Sequence, residues 1–240
     1  MQTYIGCSGF HYNDWRGKFY PENLPRKEWL AYYAHHFNSV EINTTFYGLP
    51  KEATLKNWYD QVSGNFKFTL KGSRFITHIK KMTKPEESLS NFYYSIETLG
   101  GKLGCILWQL PGYIHKDMEK LGKFCQALST DYNNVIEFRH NSWFDEEVYE
   151  VLKKYNVSFC MLSAPDDLRN DRVNTTNKAY LRFHGTEQWY SGLYSEEELK
   201  NWAKSLQEMK DLQSSYIYFN NDQKARAPEN ARMMQELMKG

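Results

Sequence analysis

The chain alternates between short apolar segments and longer segments in which apolar residues recur every three or four positions. Short apolar segments bounded by glycine, proline or asparagine are typical of strands, and the longer period is typical of helices that bury one face. The predicted strands lie at 4–8, 39–43, 66–71, 103–110, 135–139, 157–162, 179–184 and 216–220. The predicted helices lie at about 25–37, 51–59, 85–99, 116–128, 145–155, 195–212 and 226–238.

This order of elements predicts the fold class. Strands that alternate with helices form a parallel sheet with helical crossovers. Eight such units, with no low-complexity linker between them, favour a closed barrel, and 240 residues is a usual length for one. We therefore predict an α/β fold, a single TIM-barrel-like (β/α)8 domain over residues 1–240. An open doubly wound sheet is the alternative, and the polar segment 163–177 is expected to contain no helix or a very short one.

The second predicted strand carries a charged residue between two aliphatic ones. Val40 and Ile42 point to one face of this strand, whereas Glu41 and Asn43 point to the other. A glutamate in such a position is costly to bury unless it is paired or liganded. The strand therefore predicts a functional or ion-paired Glu41 near its carboxyl end.

Other predicted strands also end in polar residues, and the carboxyl ends of barrel strands form the active site in this fold class. The polar strand ends are Ser8, Glu41, Asn43, Lys71, Gln109, Glu137, Arg139, Arg182, His184, Asn220 and Asn221. The starts of the same strands are mostly apolar or small, so we predict one pocket at the carboxyl ends. The alternative is a polar layer with internal ion pairs inside the barrel.

The charges at these ends indicate the type of ligand. Arginine binds phosphate and carboxylate groups through paired hydrogen bonds, so Arg139 and Arg182 are predicted to hold an anion. Asn43, Gln109 and Asn220 would orient its polar groups. The alternative is that the two arginines only neutralise the neighbouring glutamates.

The same residues suggest acid–base catalysis. Glu41 or Glu137 would act as the general base, and Lys71 or His184 as the general acid. Glu41, Glu137 and His184 are also an alternative set of metal ligands. The sequence has no HxH or HExxH motif, and nearby cations would oppose a dication, so we predict no metal site and leave the cofactor unknown.

Residues in the loops that follow the strands complete the predicted pocket. Aromatic rings there suit flat or sugar-like ligands, although packing is the alternative role for each ring taken alone. The remaining candidates for substrate binding are Tyr12, Trp15, Tyr47, His78 and Trp143, together with Ser8 and Asn221.

Composition limits the class of partner. The chain has 30 basic and 29 acidic residues, so no global field draws it to nucleic acid or to an anionic membrane. The basic segment 72–84 keeps nucleic acid open as an alternative partner. The four cysteines are far apart and form no CxxC motif, which is typical of reduced core residues. The start of the chain resembles no secretion signal, so we expect a cytoplasmic protein without membrane spans.

The order of several motifs resembles the DUF72 (YecE-like) family of uncharacterised proteins over nearly the whole chain. The matching segments are Gly6-Cys7-Ser8-Gly9-Phe10, Val40-Glu41-Ile42-Asn43, Phe68-Thr69-Leu70-Lys71, Gln109-Leu110-Pro111, Glu137-Phe138-Arg139, Arg182-Phe183-His184-Gly185 and Tyr218-Phe219-Asn220-Asn221. The resemblance implies a TIM-barrel-like fold and supplies no reaction. The chain departs from the family at Phe10, where tryptophan is usual, and at Gly112, where a second proline often follows.

These observations lead to three functional hypotheses. The first is an enzyme, an isomerase, lyase or hydrolase, that acts on a small anionic or sugar-like molecule in the strand-end pocket. The second is a nucleic-acid-processing or nucleic-acid-binding protein. The third is a barrel that binds a small ligand without catalysis. The sequence does not indicate the oligomeric state.

Overall fold

Eight parallel strands form the central barrel of the protein. The computed structural model describes residues 1–165 and 167–239. The strands are β1 (Gln2–Cys7), β2 (Ser39–Ile42), β3 (Lys67–Lys71), β4 (Leu103–Gln109), β5 (Asn134–Glu137), β6 (Ser158–Ser163), β7 (Lys178–Phe183) and β8 (Ser214–Phe219). Consecutive strands from β2 to β8 pair with one another, and β8 pairs with β1. A parallel bridge between Ser8 and Glu41 joins β1 to β2 and nearly closes the barrel. The predicted barrel is confirmed, because this order lacks the reversal of a doubly wound sheet.

Helices cover the outside of the barrel. They are α1 (Trp29–His36), α2 (Thr44–Tyr47), α3 (Glu52–Gln61), α4 (Glu86–Ile96), α5 (Met118–Ala127), α6 (Glu146–Lys154), α7 (Glu196–Glu208) and α8 (Arg226–Leu237). A capping box opens α7, since Ser195 and Glu198 each accept a hydrogen bond from the other's backbone amide. None of the helices in the described ranges combines the length and apolarity that crossing a bilayer requires.

The structure differs from the predicted elements mainly in the loops above the barrel. The single turn α2 follows β2 directly, and a π-helix occupies Phe75–Ile79 within the predicted basic loop. Short turns of this kind lack the repeated apolar period on which the sequence prediction depends. The segment 163–177 contains no helix within its described residues, as predicted.

Polar side chains fill the barrel interior. The period of two along each strand turns Glu41, Thr69 and Arg182 inward, and the Tyr218 hydroxyl lies 2.8 Å from Thr69 Oγ1. The predicted contrast between polar strand ends and apolar strand starts is weaker than expected. Several strands begin at polar residues, such as Asn134 of β5, because they start one or two residues earlier than predicted.

The four cysteines are buried and free, as predicted for core residues. Burial raises the pKa of the Cys7 and Cys160 thiols well above their ordinary value, and raises that of Cys125 to about 12. Thiolates are the reactive form, so these thiols are inert in the folded chain.

Candidate functional site

A buried ion network lies beneath the carboxyl-end mouth of the barrel. Arg182 of β7 is 1% exposed, and its Nη2 donates to Glu41 Oε1 at 2.6 Å. Its Nη1 donates to Glu137 Oε2 at 2.5 Å, and Arg139 Nε donates to the other oxygen of Glu137. Two carboxylates and two guanidinium groups therefore cancel one another in charge. The geometry agrees with the sequence alternative in which the arginines neutralise the glutamates.

Opposite charges in the network keep Glu137 and Arg182 ionised. Burial acts to raise the pKa of Glu137, but the charges of Arg139 and Arg182 outweigh it and lower that pKa well below its usual value. Burial acts to lower the pKa of Arg182, but Glu137 and Glu41 raise it well above its usual value. Glu137 is therefore a poor acceptor for a substrate proton at neutral pH.

Glu41 is enclosed by hydrogen bonds on both oxygens. The Ser8 hydroxyl donates to Oε1 at 2.7 Å, and the Tyr180 hydroxyl donates to Oε2 at 2.5 Å. Glu41 and Ser8 have no exposed surface. The structure thus places Ser8 as a hydrogen-bond partner of Glu41 inside the barrel.

His184 is neutral and accepts from the arginines. Its Nε2 lies 3.1 Å from Arg139 Nη2 and 3.4 Å from Arg182 Nη1. Guanidinium groups only donate, so Nε2 accepts from them, and Nδ1 lies 3.0 Å from the Asn220 amide nitrogen. Burial lowers the pKa of His184 well below its usual value, and both arginines lower it further. His184 therefore fixes Arg139 and adds no positive charge.

Lys71 ends β3 beside this network, and the charges of Arg182, Glu137 and Glu41 act on its ammonium group. Glu41 is level with Thr69 in the register of β2 and β3, which places Lys71 one step beyond. Its Nζ lies 4.4 Å from the centre of the Phe46 ring. Within the described ranges no carboxylate lies within ion-pair distance of this ammonium group. Burial lowers the pKa of Lys71 to about 8, and Arg182 adds to this effect.

The backbone at Lys71 is held on both sides. Thr45 Oγ1 donates to the Lys71 carbonyl at 2.7 Å, and the Gly72 amide donates to the Leu107 carbonyl at 2.8 Å. Gly72 lies against the buried Trp108 ring, and a Cβ at this position would lie 2.2 Å from the ring. Glycine is therefore required where the strand passes the indole, and this contact fixes the origin of the Lys71 side chain.

We expect Gly72→Ala to lower the free energy of unfolding by about 1–3 kcal/mol, because the indole cannot move aside without disturbing a packed core. Urea denaturation would measure the change. Gly64→Ala is the matched control, since no atom lies within 4 Å of a Cβ built there. Equal stability of the two variants would contradict the proposed contact.

Asp222 is a site residue that the sequence reasoning missed. It is half-buried in the turn after β8, and its Oδ1 is a buried oxygen without a hydrogen-bond partner among the described residues. Burial raises the pKa of Asp222 to about 7, although Tyr12 and Arg182 oppose the change. The sequence signal was present, since Asp222 directly follows the two asparagines that end β8.

The turn that positions Asp222 has unusual backbone geometry. Lys224 and Ala225 have φ angles of 61° and 62°, in the left-handed region that side chains other than glycine rarely adopt. Trp15 Nε1 donates to the Asp222 carbonyl at 2.9 Å and holds the turn from the other side. Strained backbone of this kind clusters at functional sites.

A further unpaired acceptor lies on the neighbouring strands. Asn43 Nδ2 donates to the Ser8 carbonyl at 3.2 Å, and the Tyr12 hydroxyl donates to the same carbonyl at 2.6 Å. Asn43 Oδ1 is buried and has no hydrogen-bond partner among the described residues. Asn43, Asp222 and Lys71 thus retain unused hydrogen-bonding capacity around the mouth.

The other predicted site residues fall into two groups. Trp15 and Trp143 have no exposed surface, and protein atoms surround both rings. Asn221 is also buried, and its amide donates to the Gly192 carbonyl and to Asn230 Oδ1. These three side chains support the mouth from within. Gln109 and His78 are half-buried, and Tyr47 is 73% exposed.

His78 is the neighbour of Lys71 on the β3–α4 loop. Its ring lies 4.9 Å from that of Phe46, and its Nδ1 lies 2.8 Å from Thr77 Oγ1. Burial lowers the pKa of His78 to about 4, and the charge of Lys71 adds to the effect. His78 is therefore neutral at neutral pH.

The β3–α4 loop carries the basic segment 72–84. Arg74 and Lys81 are exposed, and Phe75 and Ile79 are 46% and 58% exposed beside them. Lys81 Nζ lies 5.6 Å from the centre of the Tyr113 ring. The segment is thus a basic and aromatic rim at one side of the mouth.

The metal alternative has no support in the geometry. Among residues 1–165 and 167–239, no three histidine, cysteine, aspartate or glutamate side chains form a group that could hold a metal ion. Arg182 lies between Glu41 and Glu137, where its charge would repel a dication.

Comparisons with known proteins agree on one family. The family model described as "Protein of unknown function DUF72" matches residues 4–240. The crystal structure of a DUF72 family protein from Thermotoga maritima is 32% identical, covers all of both chains and superposes with a TM-score of 0.91. The UPF0759 protein YunF of Bacillus subtilis is 25% identical over 98% of this chain and 94% of its own, and the UPF0759 protein YecE of Escherichia coli is 24% identical over 83% and 82%.

Proposed function

The chain belongs to the DUF72 family, and from that premise we propose that it is an enzyme that performs acid–base chemistry on a small anionic substrate at the carboxyl-end mouth of its barrel. The observation that carries this proposal is the position of Lys71, a largely enclosed ammonium group without a carboxylate partner at ion-pair distance in the described ranges, beside a network whose own charges are matched.

Charge balance indicates the type of substrate. Glu41 and Glu137 are matched by Arg182 and Arg139, so the network leaves no negative charge to satisfy Lys71. Taking a cation out of water is costly unless an opposite charge replaces the lost hydration. A phosphate or carboxylate group of a substrate would supply that charge. Arg139, whose side chain is 13% exposed, is the network member closest to solvent and would help to hold it.

The pKa values of the site residues indicate which groups transfer protons. A general acid or base is most effective when its pKa lies near the working pH. The pKa values of Lys71, about 8, and Asp222, about 7, meet this condition. We assign the base to Lys71 and the acid to Asp222. Glu41 and Glu137 would instead bind Arg182 and set the electrostatic potential inside the barrel below the substrate.

The proposal predicts that inorganic phosphate stabilises the protein through Lys71. A ligand at a hundred times its Kd stabilises the folded state by about 2.7 kcal/mol, which raises the melting temperature by several degrees in a chain of this size. We expect Lys71→Met to abolish this rise. Lys67→Met is the matched control, because Lys67 lies on the same strand and donates to the Gly101 carbonyl instead of facing the mouth.

Two measurements would decide the matter. A rise in melting temperature that survives in Lys71→Met would place the anion elsewhere and overturn the proposal. Mass spectrometry of small phosphorylated and carboxylated metabolites incubated with the protein tests for turnover. The enzyme proposal expects Lys71→Met to lose any such turnover by at least about a hundredfold, as is usual when a general acid or base is removed.

A further inference from the structure

We propose that Lys71 is a nucleophile that forms an imine with its substrate, and that the substrate is therefore an aldehyde or ketone carrying a carboxylate or phosphate group. This inference rests on the proposed function and deepens it, because it names the substrate class. It follows from the surroundings of the Lys71 amine and from the lack of a salt bridge to that amine among the described residues.

The surroundings of Lys71 differ from those of a lysine that only binds anions. A lysine of that kind stays charged, and solvent or carboxylates usually surround it. Lys71 instead contacts the face of Phe46, and burial and the charge of Arg182 each lower its pKa by more than the charge of either Glu137 or Glu41 raises it. An apolar surface and neighbouring cations favour the neutral amine, which is the nucleophilic form.

The side chain is also aimed at one place. The Thr45 hydroxyl and the Gly72–Leu107 hydrogen bond fix the backbone at Lys71, and Trp108 packs against the next residue. A nucleophile that starts from a rigid strand attacks with less loss of entropy than one on a mobile loop. Arg139 can hold the anionic group of the substrate while Lys71 approaches its carbonyl carbon.

The covalent step balances without an oxidant or a reductant. The lone pair of neutral Lys71 Nζ forms a bond to the carbonyl carbon, and the π electrons of the carbonyl move to its oxygen. The oxygen then takes up both hydrogens of the amine in successive proton transfers and leaves as water, so a carbon–nitrogen double bond remains. The imine binds one proton from solvent to become the iminium ion, and hydrolysis reverses every step.

Reductive trapping tests this step on the wild-type protein. Pyruvate is the anionic ketone probe, hydroxyacetone is the neutral ketone control, and sodium cyanoborohydride reduces any iminium to a stable secondary amine at pH 7. Peptide mass spectrometry then compares Lys71 with Lys67. With a pKa of about 8 against about 10.4 for an ordinary lysine, Lys71 has roughly a hundredfold more neutral amine at pH 7. We expect pyruvate to label Lys71 at least about tenfold more than Lys67, and hydroxyacetone to label it much less than pyruvate does.

The outcomes separate this inference from the function beneath it. Equal labelling of Lys71 and Lys67 by pyruvate overturns the imine proposal. If phosphate still stabilises the protein through Lys71, the proposed anion-binding site is retained. Loss of both results removes both proposals. Labelling of Lys71 by hydroxyacetone as strong as by pyruvate contradicts the assignment of an anionic substrate. Lys71→Arg, which keeps the charge and cannot form the imine, confirms the site of the label.

Discussion

Replacing Arg182 with methionine should lower the free energy of unfolding by about 3–5 kcal/mol, the usual result of removing one partner from a buried ion network. Arg182 neutralises Glu41 through one guanidinium nitrogen and Glu137 through the other. Glu137 would keep Arg139, but Glu41 would keep only the Ser8 and Tyr180 hydroxyls. A carboxylate in a sealed interior without a cation is the source of the expected loss.

A double-mutant cycle measures this coupling. We expect Glu41→Gln to recover part of the stability when it is added to Arg182→Met, because the neutral amide needs no counter-charge. Lys56→Met is the surface control, since the Lys56–Asp60 pair is exposed and its loss should leave stability nearly unchanged. Urea denaturation of the four proteins of the cycle, and of the surface control, gives the free energies. If Arg182→Met unfolds within about 0.5 kcal/mol of the wild type, the network does not stabilise the barrel as argued.

Most of the barrel could be predicted from the sequence because a simple repeated pattern encodes it. Parallel strands covered on the outside by helices need apolar outer faces, and Val40, Phe68 and Leu181 occupy such positions. The period of two also identified Glu41 as a residue that turns away from the aliphatic face. That orientation is confirmed by its hydrogen bonds inside the barrel.

Depth within the barrel could not be predicted in the same way. Strands in a barrel are staggered, so residues at the ends of different strands need not lie at the same level. Arg182 is level with Tyr218 and reaches Glu41, although 141 residues separate the two in the chain. Lys71 lies one inward-facing position beyond the level of Glu41 in the register of β2 and β3. The sequence therefore indicated which side chains face inward. It did not indicate which of them are buried in ion pairs and which can contact a ligand.

Asp222 was missed for a related reason. The sequence prediction ended the eighth strand at Asn220 and began the last helix at about 226, so Asp222 between them received no role. The left-handed geometry at Lys224 and Ala225 turns the chain sharply at this point. Glycine is the usual sequence signal for left-handed backbone, and this turn has none. Tertiary contacts, such as the hydrogen bond from Trp15, stabilise the turn instead.

Asp222→Asn should raise the free energy of unfolding at pH 8 by about 2–4 kcal/mol. The pKa of Asp222 is about 7 in the folded chain, against 3.8 for an unperturbed aspartate. A carboxyl group with a raised pKa favours the folded state fully below pH 3.8, and this contribution is lost as the pH rises through 7. Each unit of pKa is worth about 1.4 kcal/mol, and partial exposure of the side chain reduces the total.

The pH dependence distinguishes this effect from a general change in packing. Asparagine resembles the protonated carboxyl group in shape and charge, so the variant and the wild type should unfold at the same urea concentration near pH 4 and diverge progressively above it. Asp211→Asn serves as the control for the substitution itself, because Asp211 is exposed. Parallel curves for Asp222→Asn and the wild type from pH 4 to pH 8 would show an ordinary carboxylate at Asp222, and the proposed general acid would then be unsupported. A stabilised variant that also loses turnover would instead show that the fold tolerates a costly carboxyl group at the mouth because the chemistry requires it.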